Sequence, residues 1–397
     1  MNRRRAVRYL ALGALLVAAA VLLSACGSSS TGGGTSSGGS SSSGGSSSAA
    51  ASGSATSGSG SASSSGINVA QAKSQLDAIV NTPNKITLPK VGKTIPKSET
   101  IDFMTCPLAI CTEVGTGVQQ AAAVLGWQVH TVAMNGTPAG YKNAWDQIAQ
   151  SPGNAVVVTD PVLPYTSVAS QTAKANVPIV SSTSPDPVGG HLVSVVASTA
   201  DIRRQGEVEA NWVIQDAGKP VKTVFVYDPS IISLTSAMPG YESTMKQNCS
   251  ACSVGVLKVS AAQIGPALAQ QVVSYLQSNP DVKYVAFGLG DLATGVPAAL
   301  KAAGLSSVKL TTRAATPPNL EDVKGGGMAA AFTAEIYEAG WRSVDKLVRA
   351  LAGAPIGDAY PLSTIREITQ SSLPANIKVP YSMPNYEEGF KEAWGRP

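Results

Sequence analysis

Five cysteines and two histidines are the residues of this chain best suited to metal, redox or covalent chemistry. Four of the cysteines form close pairs, Cys106-x4-Cys111 and Cys249-x2-Cys252. Spacing alone leaves a zinc clip, a redox pair and a structural staple open. A four-thiolate zinc site would need both pairs to meet from distant parts of the chain. His130 and His191 lie far apart, each in a strand-like run, so no metal site is expected. A thioredoxin-type pair opens a helix. Cys249-Ser-Ala-Cys252 instead follows a helical run and precedes a strand-like one. There is no G-x-S-x-G elbow outside low-complexity sequence, no H-E-x-x-H and no phosphate loop. No enzyme activity and no cofactor are expected.

The elements that must position such residues alternate regularly. Strands are predicted at 100–106, 127–134, 154–160, 176–183 and 191–198, with helices at 111–126, 138–151 and 164–176 between them. A second series follows, with helices at 202–218, 233–247, 264–278 and 291–303. Its strands are at 222–228, 253–260, 282–290 and 308–314. Near-continuous apolar strands between helices predict parallel sheets covered on both faces. From about Ile67 to Pro397 the chain is too long for one ordinary core and suits two lobes. Such sheets bind ligands at the carboxyl ends of their strands. Thr105, Asp160, Thr183, Ser184, Asp228, Asp291 and Arg313 stand at those ends. A cleft between two lobes is the default place for a small molecule.

The N-terminus fixes the expected compartment. Arg3, Arg4, Arg5 and Arg8 precede an apolar run from Tyr9 to Leu23, too short for a comfortable membrane span. Leu23-Ser24-Ala25-Cys26 resembles the lipobox of bacterial lipoproteins. The resemblance implies that residues 1–25 are a signal peptide and that Cys26 carries the lipid, giving an extracytoplasmic protein anchored to the cell membrane. Residues 26–66 are almost wholly Gly, Ser, Ala and Thr, a flexible tether. Its root-mean-square reach is roughly 35 Å. The four arginines lie in the signal, where there is no acid, so the remaining chain balances at 25 basic and 25 acidic residues. A neutral domain has no electrostatic footprint for nucleic acid.

Residues 98–370 resemble the type I periplasmic-binding proteins of bacterial sugar ABC importers, the ribose-binding group in particular. "GVQQAAAVLGWQVHTV" is similar to that family's first helix and second strand, and "ANVPIVSST" to a later strand. "NPDVKYVAFGLGDLATGVPAALKAAG" is the strongest match, and "IYEAGWRSVDKLVRALAGAP" is similar to its last long helix. The resemblance implies an α/β fold of two similar Rossmann-like lobes with parallel sheets, joined by a three-segment hinge with the ligand cleft between them. After a lead-in at 67–97, lobe 1 would be 98–198 plus 335–362, and lobe 2 would be 199–334 plus 363–397. The crossings would fall near Ser198, Ala334 and Ser363. The implied function is capture of a small molecule by hinge closure and its delivery to an ABC permease, by a monomer. A receptor feeding a membrane sensor would use the same fold.

The departures from the family bear on the ligand. Where its sugar binders place aromatic residues after the first strand, this chain has Cys106, Pro107, Leu108, Ala109, Ile110 and Cys111. The Asp-Arg pair after the fourth strand is replaced by Thr183 and Ser184. The clamping acid falls near Ala314, beside Arg313, and the hinge Gln falls on Ala334, beside Glu335. An Asn-Asp pair survives as Gly290-Asp291. The candidate ligand residues are Thr105, Pro107, Asp160, Thr183, Ser184, Asp228, Asp291, Arg313 and Glu335. Each has a plainer reading: Asp291 as a helix N-cap, Asp160 as a turn before Pro161, Glu335 as a hinge marker. Trp127 and Trp341 read as core, and Trp145 and Tyr165 as weak stacking candidates. A cleft so poor in hydroxyl partners suits either a sugar held by other groups or a less hydroxylated, more apolar or aromatic solute. Cross-lobe disulfides would oppose hinge motion, so the implied pairs are Cys106–Cys111 and Cys249–Cys252, the first preorganising a cleft loop.

Overall fold

The run Ala155–Val158 offers no polar face, and all four residues are buried. Such strands need cover on both sides, and the alternation of strand and helix supplies it. The structure, a computed structural model, describes residues 66–80, 86–333, 336–357, 365–378 and 385–397. The signal-like segment, Cys26, nearly all of the tether, Ala334, Glu335 and Ser363 lie outside the described residues.

In chain order come α1 (Val69–Val80), β1 (Thr100–Thr105), α2 (Ala109–Leu125), β2 (Gln128–Ala133), α3 (Pro138–Gln150) and β3 (Ala155–Val158). They are followed by α4 (Ala169–Ala175), β4 (Ile179–Thr183) and β5 (Leu192–Ala197). The second series is α5 (Thr199–Ala217), β6 (Lys222–Tyr227), α6 (Leu234–Asn248), β7 (Ser253–Lys258), α7 (Pro266–Ser278), β8 (Val282–Phe287) and α8 (Val296–Ala302). It continues with β9 (Lys309–Arg313), α9 (Pro317–Lys324), β10 (Ala330–Thr333), α10 (Ile336–Ala352), β11 (Arg366–Ile368) and α11 (Tyr386–Trp394).

Two sheets result. The first runs β2-β1-β3-β4-β5 and is parallel throughout. The second runs β7-β6-β8-β9-β10-β11, parallel except for β11. The first five strands of each half thus take the same order, 2-1-3-4-5. That order has its topological switch point between the first and third strands, where ligands bind. Edge strands β2 and β7 alternate or lie open, whereas the central β1, β6 and β8 are nearly fully buried.

The helices start and stop where local chemistry dictates. Ser198 and Asp201 form a capping box at the head of α5, and Gly218 closes it in the left-handed region. The helices predicted at 164–176 and 291–303 are shorter. A 3-10 turn at Tyr165–Val168 precedes α4, and Gly295 at φ +79° breaks the turn at Gly290–Ala293 from α8.

Both lobes pack one helix pair at backbone contact. A Cβ on Gly117 of α2 would lie 2.0 Å from the Tyr337 carbonyl oxygen, and one on Gly340 of α10 would lie 2.5 Å from the Val114 oxygen. In the second lobe a Cβ on Gly206 of α5 would meet the Ala237 oxygen at 2.1 Å. One on Gly240 of α6 would meet the Arg203 oxygen at 2.2 Å.

The two ends of the domain depart from the predicted partition. The lead-in is not a single segment: α1 packs on α5 in the second lobe, whereas Ile86, Val91 and Ile95 join the first lobe's core. The C-terminal segment, expected wholly in lobe 2, is divided too. β11 extends the second sheet, but α11 lies on α10. Trp394 stacks on Trp341 at 5.5 Å, Phe390 and Tyr386 flank it, and the Trp394 indole N–H donates to Asp345 at 2.7 Å. Three aromatic side chains on one face of a nine-residue helix settle on the apolar surface that can bury them.

Candidate functional site

Between the sheets lies a cavity of about 80 Å³. The first lobe contributes Ile110, Cys111 and Val114 from α2, Thr159 and Asp160 after β3, Ser182 and Thr183 from β4, and the end of β5. The second contributes Ile202 and Gln205 from α5, with Arg313 and Ala314 at the end of β9. Ile336 and Ala339 of α10 complete an apolar wall.

Arg313 is almost fully buried, 4% exposed. Its Nε donates to Gln205 Oε1 at 2.9 Å, and its Nη1 donates to the Gly288 carbonyl. Burial pulls the guanidinium down to about 10, and the carboxylates of Asp160 and Glu209 resist that fall. It therefore stays charged at neutral pH. Beneath it Glu209, wholly buried on α5, accepts the Thr311 hydroxyl at 2.7 Å. Burial pushes the Glu209 carboxyl up to about 8, against the pull of Thr311 and Arg313.

Asp160 faces the cavity from the other lobe. Its Oδ1 accepts the Thr183 hydroxyl at 2.5 Å and the Ser233 hydroxyl, from the second lobe, at 2.9 Å. A second bond crosses the cleft where Asp291 accepts the Ala109 N–H at 2.8 Å. Burial raises the Asp291 carboxyl, and the N–H of Ala109 works against it. Strain gathers here as well. Asp160 at φ +34° and Ala314 at φ +49° are both non-glycine residues in the left-handed region. For an alanine that costs about 1 kcal/mol or more.

The structure brings Asp160, Thr183 and Arg313 to the cavity and Asp291 to its cross-lobe bond. It does not bring the other described candidates there. Thr105 donates to its neighbour's carbonyl at Cys106. Pro107 is exposed beside Gly136. Ser184 gives its hydroxyl to Asp186 inside the first lobe. Asp228 is consumed by its own turn, accepting from Ser230 and the Ala261 N–H. Glu335 lies outside the described residues. Trp145 is no stacking platform: it is fully buried, edge-on to Tyr141. Trp127 and Trp341 are buried. The sequence reading missed Gln205, Ser182 and the apolar wall, because nothing in the helical pattern of α5 marks which turn faces the cleft.

Cys106 is bonded to Cys111 and Cys249 to Cys252, each pair within one lobe. Cys106, Cys111 and Asp160 lie close enough to suggest a metal cluster, but sulfurs bonded to each other are not thiolate ligands.

Residues 94–355 match the periplasmic binding protein domain. The chain belongs to that family. No curated protein sequence matches it. Its structural neighbours include an ABC transporter solute-binding protein from Agrobacterium vitis bound with alpha-D-tagatopyranose. That structure has a TM-score of 0.62 at 17% identity, covering 72% of this chain and all of the other. The periplasmic solute-binding protein of Actinobacillus succinogenes, bound with D-allose, gives 0.59 at 14% identity, covering 69% and 99%. A XylFII-LytSN complex gives 0.60 at 15%, covering 70% and 100%. At such identities the likeness is one of fold. Family members act outside the cytoplasm as solute binders, and this chain has their two-lobed α/β architecture.

Proposed function

We propose that this protein is a membrane-tethered, extracytoplasmic solute-binding lipoprotein. It captures a small molecule between lobes that close on a hinge, and it presents the closed form to an ABC importer. Lobe 1 is built on 98–198 and 335–362, lobe 2 on 199–334 and 363–368, with Cys26 as the lipid anchor. The observation that carries the reading is the cavity between the strand ends of two like-ordered sheets, bridged by Ser233–Asp160 and Asp291–Ala109. A site built from both lobes is complete only when they meet, so binding and closure are one event. Asp160 and Arg313 are the ligand contacts, with Thr183 holding Asp160 in place.

The neighbours solved with tagatopyranose and allose support a sugar-like solute. The apolar wall and the shortage of free hydroxyl partners favour a less hydroxylated one. The neighbour seen with LytSN supports a second use, a closed form read by another membrane-side protein rather than by a permease. The test is native purification of the full chain and mass spectrometry of any small molecule it retains, with a thermal-shift screen beside it. A solute at a hundredfold excess over its Kd adds about 2.7 kcal/mol. No retained molecule and no shift across sugars, organic acids and aromatics would refute the reading.

A further inference from the structure

We infer that the solute is a short-chain carboxylate bearing one hydrogen-bond donor, a hydroxyl or an ammonium, whose carboxylate sits on Arg313 and Gln205 and whose donor meets Asp160; this rests on the reading of the cleft as a solute site.

The inference begins with a fixed amide. Arg313 Nε donates to Gln205 Oε1 at 2.9 Å, which fixes the orientation of that amide and sets its Nε2 as a donor on the other side. Arg313 Nη1 is held by the Gly288 carbonyl, while Nη2 has no hydrogen-bond partner among the described residues. Gln205 Nε2 has none either. Both side chains line the cavity from the second lobe and are almost fully buried. Two neighbouring donor groups, one of them charged, match the two oxygens of a carboxylate.

The opposite wall offers the complement. Asp160 Oδ1 is satisfied by Thr183 and Ser233, but Oδ2 accepts no N–H or O–H among the described residues. Its sulfur neighbour, Cys111 Sγ at 3.9 Å, is in a disulfide and has no proton to give. The acceptor on one lobe and the donors on the other line the same cavity. Between them Ile110, Val114, Ile202 and Ile336 leave room for a carbon body.

A sugar fits these walls poorly. Each buried hydroxyl must regain the bonds that water gave it. Thr159 Oγ1 already donates to the Met104 carbonyl and accepts the Cys106 N–H, and Thr183 is spent on Asp160. Size points the same way: the cavity of about 80 Å³ is smaller than the ~150 Å³ that accepts benzene.

The test is titration calorimetry and thermal shift on the full chain with L-lactate, L-alanine, propionate, propionamide, ribose and galactose. Lactate or alanine should bind, propionate about tenfold more weakly, and propionamide at least about a hundredfold more weakly. Gln205→Glu keeps the acceptor that Arg313 Nε needs and turns the facing donor into a carboxylate oxygen. It should melt no lower than the parent and lose the carboxylate by at least about a hundredfold. Binding of a sugar without any carboxylate would overturn this assignment and leave the solute-binding reading standing. So would carboxylate binding undiminished in Gln205→Glu. Silence across both panels would overturn the two together.

Discussion

Asp291, in the second lobe, caps a helix of the first: its carboxylate accepts the N–H of Ala109 at 2.8 Å. The residue before α2 is Leu108, which has no side-chain oxygen to offer. The helix end is therefore completed only when the lobes meet. Asp291 had two readings in the sequence, a ligand contact and a local N-cap. The structure gives it a third role, a cap on the opposite lobe. Asp291→Ala should leave each lobe folded and weaken closure by about 1 kcal/mol, the usual worth of such a cap. Small-angle X-ray scattering should show a larger mean radius, and solute affinity should fall several-fold. An unchanged radius and affinity would remove Asp291 from the closing contacts. Asp291→Asn, which keeps an acceptor, should lie between.

Glu209 sets a pH dependence of stability. Its carboxyl, driven by burial to about 8, binds a proton in the folded protein at pH values where the unfolded chain has already lost it. Stability then falls as pH rises: the contribution is full below the ordinary carboxylate value and is lost through about pH 8. Urea midpoints should fall between about pH 5 and pH 9. Glu209→Gln, isosteric and uncharged, should flatten that slope. A variant with the parent's slope would assign the effect elsewhere.

Strands were legible because their apolar runs are bounded by polar residues, and the strand-end rule named Asp160, Thr183 and Arg313, which line the cavity. The same rule failed at Asp228 and Ser184, where a nearby backbone or side chain uses the group first. No spacing argument sees that competition. β10 and β11 went unread since four and three residues are too few to show a period. α11 was missed for another reason. Its aromatic face is meaningful only against Trp341, a partner distant in sequence.

The close helix crossings predict a steep response to a single methyl. Gly340→Ala places a carbon 2.5 Å from both the Val114 oxygen and the Val118 nitrogen, so α10 must move off α2. The cost should be about 1–3 kcal/mol or more. Gly240→Ala should act alike on α5 and α6 in the second lobe. Chemical denaturation measures both. A loss under about 0.5 kcal/mol in either would mean that the pair relaxes without strain.

The two disulfides should differ in what they govern, though each closes a short loop. Chain entropy gives about 2 kcal/mol for either, so reduction should lower the melting temperature by a few degrees per bond. Cys106–Cys111 holds the loop that leads into α2, and Cys111 lines the cavity beside Asp160. Cys249–Cys252 joins the end of α6 to β7, at an outer strand of the second sheet. Replacing Cys106 and Cys111 by serine should therefore cost both stability and solute affinity. The Cys249 and Cys252 double serine variant should cost stability alone. Equal losses of affinity in the two would show that the first bond does nothing for the cleft beyond holding the fold.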